Sequence, residues 1–143
     1  MFRKIALATA FGMTVFLAGY WSGRNTTVHA QTGDRVFELR VYHANEGKLD
    51  DLLKRFRDHT RTIFDRYNMT SIGYWVPMDP PLKGRTLYYM LAFPSREAAT
   101  KSWAEFRDDP EWKKVAAASE VNGKLVNKVD STFLTPTDFS AIK

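Results

Sequence analysis

VFELRVYHA, residues 36–44, alternates apolar and polar groups along an extended chain. Phe37, Leu39 and Val41 point one way, and Glu38, Arg40 and Tyr42 point the other, because successive side chains of a strand leave opposite faces. The polar face carries an acid and a base two residues apart. Such a pair fits catalysis, ligand binding, or the pinning of one subunit against another.

On the C-terminal side, Ala44-Asn45-Glu46-Gly47 breaks the strand, with Asn45 as candidate N-cap of the next helix. Leu49, Leu52, Leu53, Phe56, Thr60, Ile63, Phe64 and Tyr67 recur at helical spacing and predict one long amphipathic helix. Its polar side offers opposite charges four apart: Asp50 with Lys54, Asp51 with Arg55, Arg61 with Asp65. MTSIGYWVP (69–77) predicts a strand with Ile72, Tyr74 and Val76 on one side, ended by Pro77. MDPPLKGR (78–85) is turn material, and TLYYMLAF (86–93) is apolar enough for a central strand covered on both faces. Ser95 caps a helix with Ala99, Trp103 and Phe106 inward. Asp109-Pro110-Glu111 opens another helix running to about Ser119, with Trp112, Val115 and Ala116 inward. Asn122-Gly123 turns the chain into a last strand, about 125–134.

Two β-α-β halves predict an α+β, ferredoxin-like βαββαβ domain with an antiparallel sheet in the order 4-1-3-2. Its helices cover one face only. A second copy of the chain is the economical cover for the other, so a homodimer is expected.

The N-terminus reads differently. Arg3 and Lys4 precede an uncharged apolar run over residues 5–21, and Val28 and Ala30 are small residues suited to a cut after Ala30. Residues 1–30 are therefore expected to be a secretory signal peptide and 31–34 a short linker, giving a periplasmic or secreted domain over 35–140. Retention as an N-terminal anchor is the alternative, since the run approaches the roughly 20 residues that span a bilayer; only then would the protein be tied to a membrane. The chain has no cysteine, which excludes a lipid-modified cysteine, disulfides and thiolate metal sites.

The formal charge is +5, but Arg3, Lys4 and Arg24 belong to the leader; 21 basic residues less these three leaves 18 against 16 acids. The other bases, Lys54, Arg55, Arg57, Arg61 and Arg66 among them, alternate with acids on the predicted helix and read as a solvated face. Nucleic acid is not an expected partner.

Interstrand ion pairing explains Glu38 and Arg40 without a substrate. The last strand carries Lys128 and Asp130, and a register with Arg40 opposite Asp130, or Glu38 opposite Lys128, pairs opposite charges. Arg40 is also a candidate for holding a ligand carboxylate, with Glu38 beside it. His59, between Phe56 and Ile63 at the margin of the apolar stripe, and Tyr42 are the candidate proton carriers. His43 beside Glu46 offers too few ligands for a metal, and no metal or cofactor is expected; haem on His59 is a weaker alternative. Tyr42, Tyr74, Trp75, Tyr88, Tyr89, Trp103 and Trp112 make an aromatic-rich interior, of which Tyr74, Trp75 and Trp103 are candidate ligand contacts. The chain shows no phosphate loop, G-x-S-x-G elbow or H-E-x-x-H.

Glu38-Leu39-Arg40-Val41-Tyr42 followed by Gly47-Lys48-Leu49 resembles the opening of a NIPSNAP domain. Ile72-Gly73-Tyr74-Trp75, the run from Trp103 to Trp112 (WAEFRDDPEW) and that from Leu134 to Ser140 (LTPTDFS) are similar to later motifs of that family, so the likeness spans about residues 35–140. The resemblance implies a dimeric α/β barrel built from two ferredoxin-like sheets. Members of that wider superfamily include cofactor-free monooxygenases, haem-degrading enzymes and isomerases, with sites between sheet and helices. The family brings no agreed catalytic residues, and the leader departs from the mitochondrial and vesicle-traffic roles of its animal members. The expected function is small-molecule binding or protein interaction by an exported dimeric domain. The alternative is a cofactor-free oxidoreductase or isomerase acting on a hydrophobic or aromatic metabolite in a sheet–helix cavity.

Overall fold

The computed structural model describes residues 35–143. The expected leader and linker lie outside the described residues. The elements follow in the order β1 (Val36–Ala44), α1 (Leu49–Arg55), a π-helical segment (Phe56–Thr60), α2 (Arg61–Arg66), β2 (Thr70–Trp75), β3 (Thr86–Phe93), α3 (Arg96–Asp108), α4 (Pro110–Ser119) and β4 (Val126–Leu134). The strands form one antiparallel sheet in the order β2-β3-β1-β4, the ferredoxin-like order expected from the sequence.

The core lies between the sheet and the helices. Leu52, Phe56, Ile63 and Phe64 from the first helical stretch pack with Leu87, Tyr89, Leu91 and Phe93 of β3 and with Ala99, Trp103 and Phe106 of α3. Caps set the later boundaries as expected: Ser95 Oγ accepts from Ala98 N (3.1 Å), and Asp109 Oδ1 accepts from Trp112 N (2.8 Å). Trp112, Val115 and Ala116 are half-buried, and no residue of α4 is fully buried.

Several local expectations change. Asn45 does not cap α1; the helix begins after Lys48, and Asn45 Nδ2 instead donates to Lys124 O (2.8 Å), tying the β1 exit to the β4 entry. The long helix contains a π segment, where Arg61 N bonds back to Phe56 O. The expected pairs Asp50–Lys54, Asp51–Arg55 and Arg61–Asp65 do not form. Lys48 meets Asp51, Lys54 meets Asp58, and Arg55 turns inward to Glu120 beyond α4. Arg55 is thus buried rather than part of a solvated face. β2 stops at Trp75, one residue short of Val76, and its register shifts between Ser71 and Gly73.

The sheet has an unusual division of faces. Glu38 stands opposite Leu91 and Arg40 opposite Tyr89, so the polar row of β1 shares a face with the apolar core row of β3. Leu39, Val41 and Phe37 share the other face with Met90, Tyr88 and Ala92. The β1–β4 register is offset by an odd number of residues from both expected ones: Glu38 faces Phe133, Arg40 faces Ser131, Val41 faces Asp130 and His43 faces Lys128. An offset of one residue moves a whole row of side chains to the opposite face. Lys128 and Asp130 therefore lie away from Glu38 and Arg40, and the expected four-residue ion network is not made. Asp130 instead pairs with His43 and Lys128, each at 2.8 Å, and both hydrogen bonds hold its carboxyl below the ordinary value.

Candidate functional site

The opening acid and base meet each other. Glu38, 1% exposed, accepts hydrogen bonds from Arg40 Nη1 (2.7 Å), Ser131 Oγ (2.6 Å) and Trp103 Nε1 (2.5 Å). A buried carboxylate persists only when its lone pairs are taken up, and these three donors do so. β1, β4 and α3 each supply one donor, so the sheet register and the seating of α3 together build the cluster. The Arg40 guanidinium lies 4.2 Å from the Trp103 ring centroid and 5.6 Å from that of Tyr42, close enough for cation–π attraction.

Two polar atoms beside this cluster remain unused. Arg40 Nε and the Tyr89 hydroxyl are buried without a hydrogen-bond partner among the described residues. They belong to residues directly opposite each other on β1 and β3. Tyr42 lies alongside Tyr89, ring centroids 5.2 Å apart and edge-on; its hydroxyl is near enough to help raise the Tyr89 phenol but makes no hydrogen bond of ordinary geometry to it. Burial pushes the Tyr89 phenol well above its ordinary value. Burial by itself would lower the Arg40 guanidinium, but the Tyr89 and Tyr42 phenols and the Glu38 carboxylate hold it above its usual value. Arg40 stays charged, and 16% of its side chain reaches the surface.

The remaining candidates divide between this cluster and other places. Trp103 belongs to the cluster as donor and as stacking plane. Tyr74 stacks on Tyr89 (5.6 Å, 19°) and shares a hydrogen bond with Ser71 Oγ (2.7 Å); burial raises its pKa against the Ser71 bond. A cavity of about 160 Å³ opens beside it, between Phe56, Arg61 and Leu87. Trp75 is not interior at all: it is 53% exposed on the open face, as Tyr88 is half-buried there, opposite it. A Cβ on Gly73 would come within 2.5 Å of the Trp75 indole, which is why the ring can lie back across the strand. His59 is exposed on the π segment and does not enter the sheet–helix space; it lines a groove against α4. His43 pairs with Asp130, while Glu46 approaches Arg85 (3.5 Å). Among the described residues, no three His, Asp or Glu side chains gather as a metal would require.

Sequence reasoning missed Ser131 and Tyr89. Ser131 was accessible through the pattern of its own strand, since Val129, Ser131 and Phe133 alternate with Lys128, Asp130 and Thr132. The less charged row is the one on the core side. Tyr89 reads from sequence as one ring of the aromatic interior, and nothing near it in the chain signals its place opposite Arg40.

Solved structures show the same architecture. A NIPSNAP family protein from Agrobacterium tumefaciens strain C58 is 25% identical, with a TM-score of 0.67 over 76% of this chain and 99% of that one. A second, of unknown function and from the same organism, is 20% identical with a TM-score of 0.67 over 77% of this chain and 95% of that one. SnoaB, a cofactor-independent oxygenase from Streptomyces nogalater, is 11% identical with a TM-score of 0.50 over 76% of this chain and 98% of that one, a likeness of fold alone. No curated protein matches the chain. The NIPSNAP family model matches residues 37–141, from the second residue of β1 to the C-terminal segment, and the chain belongs to the NIPSNAP family.

Proposed function

We propose that the protein is an exported, dimeric binding domain for a small hydrophobic or aromatic acid, seated against Arg40 and Tyr89. The observation that carries this reading is the pair of buried, unpartnered donors, Arg40 Nε and the Tyr89 hydroxyl, on neighbouring strands. Leaving such groups unpaired costs about 1–3 kcal/mol each, so a partner with acceptor oxygens is expected there. A carboxylate answers both donors and the guanidinium charge. Tyr89→Phe separates the occupants. Small acids extracted from the purified parent and identified by mass spectrometry should be absent from Tyr89→Phe, whose stability should stay within about 1 kcal/mol of the parent. A parent that yields no acid leaves water as the occupant and defeats the reading. Tyr42, half-buried and edge-on to Tyr89, is the candidate proton carrier for the same ligand. Conversion of that acid by the purified protein without added cofactor would make it an oxidoreductase or isomerase.

The dimer rests on the open face. Leu39, Val41, Tyr88 and Met90 are half-buried there, and Trp75 and Leu134 expose 53% and 37% of their surface. The C-terminal segment reaches one end of this face, where Phe37, Met90, Leu134, Pro136 and Ile142 border a groove of about 460 Å³. The apolar part of this face, bordered by His43 and the charged Asp130 and Lys128 at the β4 edge, is expected to be buried against another surface. Light scattering on residues 31–143 at micromolar concentration should give twice the monomer mass, and Val41→Lys should halve it. A stable monomer of the parent would refute the dimer.

A further inference from the structure

The groove between α1, the π segment and α4 lies apart from the Arg40 cluster and has a volume of about 570 Å³, within the range of small-ligand sites. Its polar walls come from Lys54, Arg55, Asp58, His59 and Lys114, and its apolar ones from Val115, Ala118 and Val121. Equal numbers of acids and bases would suggest no preference, but most of these charges are already engaged. Of the lining carboxylates, Asp51 meets Lys48 (3.8 Å), Asp58 meets Lys54, and Glu111 meets Arg66 (2.7 Å). Lys114 and His59 have no ion-pair partner among the described residues.

Arg55 adds positive charge to the same wall of the groove. Its side chain is only 5% exposed and lies 5.2 Å from the Trp112 ring centroid. Nη1 donates to Ser119 Oγ (3.2 Å) and Glu120 Oε1 (3.3 Å), while Nε is buried without a partner. Nε has no surface that a groove ligand could touch, so what Arg55 lends the groove is the positive charge of its guanidinium rather than a free donor. The π segment supplies a third feature. Its wider turn sets His59 outward on the groove side, while its neighbours Phe56 and Thr60 stay buried and Thr60 Oγ1 donates to Arg55 O (3.2 Å). Irregular turns of this type concentrate at functional sites.

From these observations we infer that the α1–α4 groove binds a small organic anion, a carboxylate on a short aliphatic body. The carboxylate lies at Lys114 and His59, within the field of the Arg55 guanidinium, and the body lies along Val115, Ala118 and Val121. This site is separate from the one proposed at Arg40, and either can fail alone. The test is an amide NMR titration of the full chain with hexanoate, with hexanamide and inorganic phosphate as comparison probes. Saturable shifts are expected at residues 55, 59, 114 and 119 rather than at 40, 42 and 89. Hexanamide and phosphate should each bind at least ~10-fold more weakly than hexanoate, because each lacks one half of the recognised chemistry. Lys114→Gln with His59→Gln, both at exposed positions, should raise the hexanoate Kd at least ~10-fold with the amide spectrum otherwise unchanged. Absence of saturable shifts, equal binding of hexanamide or phosphate, or an unaltered Kd in the double variant would each overturn the inference.

Discussion

Glu38→Ala is expected to destabilise the fold by about 3–5 kcal/mol in denaturant melts, because removing one partner of a buried ion pair strands the other. The loss has three parts. The Arg40 guanidinium keeps its charge without a counterion, and the Trp103 indole N–H and the Ser131 hydroxyl lose their acceptor. Arg40→Ala should cost less, since Glu38 retains Trp103 and Ser131 as donors. Replacing both charges, as Glu38→Leu with Arg40→Met, should recover most of the loss, because no uncompensated charge is left in the core. Asp130→Leu should rescue neither single variant, as that carboxylate lies on the other face beside His43 and Lys128. A loss below about 1 kcal/mol for Glu38→Ala would remove the structural role of the cluster.

Asp109→Ala is expected to cost about 2–4 kcal/mol, from a lost helix cap and two lost hydrogen bonds to a charged acceptor, the one from the half-exposed Arg66 being weakened by solvent. Asp109 Oδ1 accepts from Trp112 N at the start of α4, and Oδ2 accepts from Tyr67 Oη (2.6 Å) and Arg66 Nη2 (2.9 Å). One carboxylate thus joins the end of the first helical stretch to the junction between α3 and α4. It is covered by these immediate partners rather than sunk deep in the core. The Tyr67 hydrogen bond, with further help from Trp112 N and Arg66, holds its carboxyl below the ordinary value of 3.8. A depressed carboxylate contributes its full stability above its unfolded pKa and loses it as pH falls through the folded one. The gap between parent and Asp109→Ala should therefore be constant from neutral pH down to about pH 4 and shrink below it. Asp109→Asn should keep the cap and recover roughly 1 kcal/mol. Equal melting of parent and Asp109→Ala at pH 7 would show that the junction does not depend on this residue.

The backbone of the fold was open to local reasoning. Apolar period, caps and turns are properties of neighbouring residues, so TLYYMLAF, Ser95 and Asp109-Pro110 located β3, α3 and α4 before any tertiary contact was known. The order of the strands followed too, because two β-α-β halves with helices on one side leave few arrangements. The π segment escaped, since its residues keep the same apolar spacing as an ordinary helix while the turn widens by one residue. That widening sets His59 outside the core, which no periodicity count reveals.

The candidate site shows the same division between local and distant causes. Glu38 and Arg40 stood out in the sequence as charges on one face of a strand, and their pairing is a matter of spacing two residues apart. Which other residues join them depends on register, and a single-residue slip exchanges one face for the other. The bulge at His43/Ala44 and the tether from Asn45 to Lys124 accompany that register, which brings Ser131 to Glu38 and turns Asp130 away. Tyr89 gains its meaning from its place opposite Arg40, and Arg55 from the seating of Trp112 and Glu120 against it. The sequence by itself determined the elements, their order and the presence of a charged pair, because each rests on nearby residues. Only the tertiary structure decided which face that pair occupies and which donors remain unpaired beside it, because those depend on how distant strands and helices align.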